Sequence, residues 1–194
     1  YIGPDFCNIT TLLSDEELLI QKTANEFVAK EFLPIVNEYY EKGSFPTELI
    51  SKMGELGFFG ATLPKKYGGS EISNTAYGLI MQELEKGDSG LRSVCSVQGG
   101  LVMYPIFEYG SQEQKDKWLS KLASGQAVGC FGLTESNHGS DPSGMKTRAV
   151  RDGDDWIING SKMWITNGSI ADVAVVWAKD EDDIVRGFLL EKGM

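Results

Sequence analysis

Residues 154–168, DDWIINGSKMWITNG, decide the fold class of this chain. Two apolar runs flank the dipeptide Asn159-Gly160, and this arrangement is the strongest short-range indication of a β-hairpin that a sequence offers. The strand-like period begins at Val128 and continues beyond the hairpin. We therefore predict a β region that starts near residue 126.

Upstream of this region, apolar residues recur with the period of helices. Ser14 with Glu17, and Ser111 with Gln114, match the capping box that begins a helix. We predict five helices, within residues 14–33, 46–56, 74–86, 91–109 and 112–122.

The predicted fold class is α+β, in which an N-terminal all-α helical domain precedes the start of a β-barrel or β-sandwich middle domain. The helical domain comprises residues 1–125 and the β domain residues 126–194. The runs ADVAVVWAK and IVRGFLLEK are predicted strands of the second domain. Because the chain begins at Tyr1 and its strand pattern is incomplete at Met194, we expect it to be part of a longer protein.

The charge and composition exclude several classes of partner. The net charge is -10 and there is no Lys/Arg block, so neither nucleic acid nor an anionic membrane is an expected partner. The longest uncharged stretch, Ser93 to Phe107, is too short and polar to span a bilayer, and no signal-peptide pattern is present. Three distant cysteines and the single His138 predict no metal site. We expect a soluble, intracellular protein.

The stretch GCFGLTESNHGSDP, residues 129–142, allows three interpretations. Backbone N–H groups around Gly139, with the Ser140 hydroxyl, are suited to bind an anion. A serine hydrolase built on Ser136 or Ser140 with His138 lacks the G-x-S-x-G elbow. The residues by themselves favour the third interpretation, a polar β-turn.

Two further patterns are compatible with ligand binding. On a strand, Trp164 and Thr166 share one face, which would give a flat heteroaromatic ring both a platform and a hydrogen bond. Periodicity by itself favours a core tryptophan and a solvent-facing threonine. Arg92, at the head of an apolar helix, is suited to hold an anion, whereas the alternatives are a pair with Asp88 or extension to the surface.

Three stretches together resemble the acyl-CoA dehydrogenase family. CFGLTESNHGSDP and INGSKMWITNG closely resemble its two flavin-contacting segments, and the spacing between them matches. ELEKGDSGLRSVCSVQGGLVMYPIFEYGS resembles the glutaryl-CoA dehydrogenase branch. The resemblance extends from about Leu13 to Gly193, and one departure is Ser136, where family members often carry proline.

The resemblance implies a three-domain fold assembled as a homotetramer, of which this chain matches the helical domain and most of the middle domain. The C-terminal four-helix domain is absent from this chain. FAD is the implied cofactor, and its implied contacts are Phe131, Leu133, Thr134, Gly139, Ser140, Trp164, Ile165 and Thr166. The implied substrate-binding residues are Glu85, Arg92, Ser93, Ser96 and Ser140.

The implied reaction is FAD-dependent α,β-dehydrogenation of glutaryl-CoA, with decarboxylation to crotonyl-CoA and transfer of electrons to electron-transferring flavoprotein. The family's catalytic base is a glutamate of the C-terminal domain, so this chain contains no matching catalytic residue, and Glu135 is not that base. Two alternatives remain open: a short or branched monocarboxylic acyl-CoA as substrate, or a non-catalytic flavin- or CoA-binding fragment. The expected location is the cytoplasm of a bacterium or the mitochondrial matrix of a eukaryote.

Overall fold

The computed structural model describes residues 6–194. The first five residues of the predicted helical domain lie outside this range. Helices come first and strands second, which confirms the predicted α+β class. Within the described range the helices are α1 (Asp15–Phe27), α2 (Val36–Lys42), α3 (Leu49–Glu55), α4 (Asn74–Gly87), α5 (Ser89–Ser96), α6 (Tyr104–Tyr109) and α7 (Gln112–Ala123). The strands are β1 (Gly129–Gly132), β2 (Arg148–Asp152), β3 (Asp155–Asn159), β4 (Val173–Lys179) and β5 (Val185–Glu191).

The capping residues of the helices agree with the sequence prediction. Ser14 with Glu17 and Ser111 with Gln114 both form complete capping boxes. The prediction missed α2, which contains no buried residue and therefore shows no apolar stripe in the sequence. The predicted run of residues 91–109 is continuous, with a π-helical segment, Val97–Met103, between α5 and α6.

The sheet is mixed, and β4 is its central strand. β4 pairs with β1 in parallel, from Gly129↔Val173 to Gly132↔Val176, and with β5 in antiparallel orientation. The hairpin of β2 and β3 joins the sheet at one position, where β2 is parallel to β4. Because β1 lies beside the π-helical segment, the loop that follows β1 emerges at the junction of helices and sheet.

The predicted hairpin at Asn159-Gly160 is wrong. The hairpin turn is Gly153-Asp154, between the paired residues Asp152 and Asp155, and glycine with positive φ at the first turn position is what a type II′ turn requires. Glycine is required at position 160 for another reason: a Cβ at this position would lie 2.2 Å from Thr147 Oγ1. Residues 160–166 therefore leave β3 without forming a strand.

A buried amide joins the helices to the sheet. Gln98 is 1 % exposed and donates to the carbonyl oxygens of Leu122 (2.9 Å) and Ala127 (2.8 Å). Its Oε1 accepts a 2.8 Å hydrogen bond from the N–H of Gly129, the first residue of β1. Gln98 thus fixes the position of β1 against the helical part of the chain. Across residues 6–194, no helix has the length and apolar character needed to cross a membrane.

Candidate functional site

The loop after β1 contains a tight turn. The backbone N–H and C=O groups of Glu135 and His138 bond to each other, at 3.2 and 3.1 Å, and place the exposed Ser136 and Asn137 at the tip. The structure therefore confirms the predicted β-turn. Among the described residues, the His138 ring makes no hydrogen bond to a serine, so the arrangement that a serine hydrolase needs is not formed.

The second predicted segment lies directly beside this loop. The N–H of Met163 donates to the carbonyl oxygen of Thr134 at 2.8 Å, and Asn167 Nδ2 donates to the carbonyl oxygen of Gly129 at 3.1 Å. The two stretches that resemble flavin-contacting segments are thus in contact, although no strand pairing joins them.

The predicted strand through Trp164 and Thr166 is wrong, because these residues form no strand. The Trp164 side chain is nevertheless exposed, as an aromatic platform for a ligand requires. Trp164 has φ 59°, a left-handed conformation that interrupts any strand, and its side chain is 86 % exposed. This excludes the alternative of a core tryptophan. Because the chain turns here, the orientation of Trp164 follows from local backbone geometry and not from strand alternation.

The side chains around this junction provide the donors that a flavin nucleotide requires. Within residues 6–194, the hydroxyls of Thr134, Ser140 and Thr166 make no hydrogen bond to protein, and Ser140 is exposed together with Gly139. An exposed indole and available hydroxyls, carried by two stretches that the Met163–Thr134 bond joins, suit a planar ring with polar edges and a phosphate-bearing tail. The residues present therefore fit FAD.

The remaining predicted flavin contacts differ in their surroundings. Leu133 and Ile165 are half-buried beside the junction. Phe131 instead packs edge-on against Trp177, with ring centroids 5.9 Å apart, and adjoins the hydrophobic core. Since Gly132 faces Lys162 and side chains alternate along β1, the Phe131 ring points to the opposite face of the strand.

A buried carboxylate lies beneath the turn. Glu135 is 7 % exposed and accepts hydrogen bonds from the Thr147 hydroxyl (2.5 Å), the Thr147 N–H (2.9 Å), the Lys146 N–H (2.6 Å) and Lys162 Nζ (2.9 Å). Burial by itself would raise the pKa of Glu135, but these hydrogen bonds outweigh burial and lower the pKa from 4.5 to about 2. With all these donors bound, this carboxylate is a structural anion.

The lowered pKa of Glu135 predicts a pH-dependent stability. A carboxyl group with a depressed pKa in the folded state stabilises fully above its unfolded pKa and loses this effect as the pH falls through the folded value. We expect the contribution, about 3 kcal/mol, to be present above pH 4.5 and lost between pH 4.5 and about 2. Urea unfolding at several pH values in this range measures the free energy of unfolding. This free energy should fall with pH in the wild type and should fall less steeply in Glu135→Gln. A variant curve parallel to the wild type would contradict the prediction.

Four of the five predicted substrate residues, Glu85, Arg92, Ser93 and Ser96, meet on the α4–α5 surface, whereas Ser140 lies in the loop after β1. Arg92 Nε donates to Glu85 Oε2 at 2.7 Å, and its NH1 donates to Ser96 Oγ at 3.1 Å. Ser96 Oγ in turn donates to the carbonyl oxygen of Ser93 at 3.2 Å. The alternative pair between Arg92 and Asp88 is wrong, because the Asp88 side chain accepts from the Gly90 and Leu91 N–H groups and caps α5.

The charges of this surface cluster balance within the chain. The Arg92 guanidinium and then the Ser89 hydroxyl hold the pKa of Glu85 below its usual range, so Glu85 is an anion at neutral pH. Arg92 is 35 % exposed and retains N–H donors beyond the two in use. The cluster thus presents a preorganised guanidinium that a second carboxylate is able to reach.

Two cavities in the described part of the chain differ in their relation to these residues. A polar cavity of about 440 Å³ lies behind the turn and is lined by Glu135, Ser136, His138 and Lys146 among others. A more apolar cleft of about 480 Å³ lies between α6 and β5 and includes none of the predicted site residues. The side-chain chemistry at the junction, and not the apolar cleft, defines the candidate site. No group of three or more His, Cys, Asp or Glu in residues 6–194 is arranged to hold a metal ion.

Comparison with known proteins agrees with the fold. Residues 14–126 match the family description "Acyl-CoA dehydrogenase, N-terminal domain", and residues 130–194 match "Acyl-CoA dehydrogenase, middle domain". The helices therefore match the N-terminal domain of this family and the strands match its middle domain, in the same order along the chain. The chain belongs to the acyl-CoA dehydrogenase family.

Several relatives are similar over nearly the whole chain. A crystal structure of glutaryl-CoA dehydrogenase from Mycobacterium smegmatis is 53% identical with a TM-score of 0.94, and covers 97% of this chain and 49% of that one. A structure described as this enzyme in complex with FADH2 is 50% identical with a TM-score of 0.93, covering 96% and 48%. The human mitochondrial short-chain specific acyl-CoA dehydrogenase is 36% identical over 169 residues, covering 87% and 41%. The chain spans about half the length of the curated relatives it matches.

Sequence reasoning missed two residues that organise the site. Lys162 is a charged residue directly before the apolar residues Met163, Trp164 and Ile165, which is the one signal that marks it as unusual. Gln98 carries no such signal, because an amide in the middle of a helix is ordinary. Both act through partners about 30 positions away, and only the folded chain shows those contacts.

Proposed function

We propose that the complete protein catalyses FAD-dependent α,β-dehydrogenation of glutaryl-CoA. The observation that carries this proposal is the Arg92–Glu85–Ser96 cluster, in a chain that shares 53% identity with a glutaryl-CoA dehydrogenase. A guanidinium positioned by two side chains suits the distal carboxylate of a dicarboxylic acyl group. The identity and the geometry of the cluster support the same substrate class.

The flavin surface of this chain follows from the junction described above. Trp164 and Ile165 would lie against the ring, and the hydroxyls of Thr134 and Thr166 would bond its polar edge. Gly139 and Ser140 would approach the phosphate-bearing part and the CoA moiety. Leu133 would contribute a half-buried contact, and Phe131 would contribute its backbone. When bound, FAD supplies the acceptor for the hydrogen removed from the β-carbon.

The substrate surface has a different task, which is selection. Arg92 would pair with the distal carboxylate, while Glu85 and Ser96 hold the guanidinium in place and the neighbouring Ser93 extends the polar surface. A monocarboxylate would leave these groups without that partner, and sites built to bond a charged group reject analogues that lack it. The base that removes the α-proton belongs, by resemblance, to a C-terminal domain. We also propose decarboxylation to crotonyl-CoA, electron-transferring flavoprotein as electron acceptor, and a homotetramer.

A second candidate is a short or branched monocarboxylic acyl-CoA as substrate. Two observations favour it: Glu85 already balances the charge of Arg92, and a short-chain specific relative shares 36% identity. In this case the cluster would be a surface ion pair of small energetic value. Relative rates with glutaryl-CoA and butyryl-CoA distinguish the two candidates, and a preference for butyryl-CoA would contradict the first.

Flavin binding by the complete polypeptide tests whether FAD is the cofactor, on which the proposed function depends. We expect the purified protein to show flavin absorbance, or to acquire it when the apoprotein receives FAD. A correctly folded preparation that remains colourless with added FAD would overturn the proposed function.

Replacing Trp164 tests the flavin surface. Loss of ring contact in Trp164→Ala should weaken FAD binding about tenfold, equal to about 1.4 kcal/mol. Tyr40→Ala is the matched control, because Tyr40 is an aromatic residue on α2 that is 83% exposed. Fluorescence titration of the apoproteins measures both dissociation constants, and equal values for Trp164→Ala and wild type would remove Trp164 from the site.

A further inference from the structure

The ion pair between Glu135 and Lys162 is unusually buried. The two side chains are 8 % and 9 % exposed, and Lys162 Nζ lies 2.9 Å from Glu135 Oε1. Burying two charges costs several kcal/mol each in desolvation, which their attraction offsets only when further hydrogen bonds complete the site. The pair has no role in the proposed reaction, so its effect has to be sought in the segments that it joins.

The pair connects three segments of the chain. The carboxylate of Glu135 holds the residues that lead into β2 through the Lys146 N–H and both donors of Thr147. The ammonium of Lys162 also donates to the carbonyl oxygen of Leu133 at 3.1 Å. The flavin-facing loop and the segment after β3 therefore meet at one fixed point.

A strained residue lies immediately beyond this point. Trp164 has φ 59°, a left-handed backbone that is sterically unfavourable for a bulky residue. Such a conformation persists only when the surrounding structure enforces it. On one side it is held by Lys162 and by the bond from Met163 N to Thr134 O, and on the other by the bond from Asn167 Nδ2 to Gly129 O.

We propose that the Glu135–Lys162 ion pair positions Trp164 for the flavin. By fixing Lys162 and Met163 against the loop after β1, the pair holds the left-handed turn that leaves the indole exposed. Both charged residues act through Trp164 and not on the reacting atoms. The choice of FAD as ligand rests on the proposed function, whereas the coupling between the ion pair and the turn is a property of this chain.

The test uses Lys162→Met in the complete polypeptide, with Lys117→Met as the matched control. Lys117 also forms a lysine–glutamate pair, with Glu191 at 2.5 Å, but its side chain is 47 % exposed and the pair joins α7 to β5. Two measurements are made well below the unfolding temperature: hydrogen–deuterium exchange of residues 160–168 in the apoprotein, and the FAD dissociation constant.

We expect Lys162→Met to accelerate exchange in this segment at least tenfold and to weaken FAD binding about tenfold, while Lys117→Met changes neither. A merely stabilising ion pair would lower the melting temperature without changing FAD affinity or the flavin absorbance band of the folded protein. If Lys162→Met does not fold, Glu135→Gln, which keeps the shape of the side chain, is measured in its place with the same expectation.

The outcomes separate the two proposals. Wild-type protein that binds FAD, with variants that retain wild-type affinity and exchange, would overturn the positioning role by itself. Wild-type protein that binds no FAD overturns the proposed function and the assignment of FAD as the ligand. Faster exchange in the variant would then still support the coupling between the ion pair and the turn.

Discussion

Arg92→Gln should lower kcat/KM for glutaryl-CoA roughly 1,000-fold, equal to about 4 kcal/mol, while kcat/KM for butyryl-CoA changes little. The substitution removes the cation expected to meet the distal carboxylate and leaves the Glu85 carboxylate facing it. Repulsion between the two carboxylates adds to the loss of the ion pair. A monocarboxylic acyl group carries no second charge and is therefore insensitive to the change.

The Arg92→Gln result is interpreted against a control variant and against a second substrate. Lys42→Gln removes a cation from another helix-surface pair, with Glu38 at 2.5 Å, and should leave both substrates unaffected. Steady-state kinetics of the complete enzyme with both thioesters measures the ratio. Equal losses with glutaryl-CoA and butyryl-CoA in Arg92→Gln would assign Arg92 to structure, and no loss with either substrate would favour the monocarboxylic candidate.

Gln98→Leu should lower the free energy of unfolding by about 4 kcal/mol. The leucine side chain removes three hydrogen bonds and leaves the N–H of Gly129 and the carbonyl oxygens of Leu122 and Ala127 without this partner. These groups are buried, so water does not replace the amide. We expect the loss to appear in the melting temperature of the apoprotein and of the FAD-loaded protein.

Gln82→Leu is the matched control for this prediction. Gln82 lies on α4 and is exposed, so the same chemical change there should alter stability by less than about 0.5 kcal/mol. Denaturant unfolding of the three proteins provides the comparison. A loss in Gln98→Leu no larger than in Gln82→Leu would show that the junction of helices and sheet does not depend on this amide.

The two flavin segments illustrate how far sequence reasoning reached. The resemblance indicated that residues 131–140 and 164–166 belong to one site, and the bond between Met163 N and Thr134 O places them in contact. The inferred geometry was nevertheless wrong, since a strand was expected where Trp164 adopts a left-handed turn. The Asn159-Gly160 pair wrongly predicted a hairpin turn, because glycine is needed there for close packing against Thr147. Turn propensities describe only neighbouring residues and do not include this distant contact.

The sequence by itself determined the features that depend on neighbours within a few residues. Helical period, the capping boxes, the change to strand period near Val128 and the family motifs all belong to this group. Their physical basis is local, because caps and periodic faces are set by bonds and contacts three or four positions apart.

Only the tertiary structure decided which distant groups share a site. The Gln98–Gly129 bond, the Lys162–Glu135 pair and the Arg92–Glu85 pair span 31, 27 and 7 positions. Each depends on how whole elements pack, and a charged or amide side chain has many possible partners until that packing is fixed. Burial then makes an unpartnered polar group costly, so the folded chain selects one arrangement among those that the sequence allows.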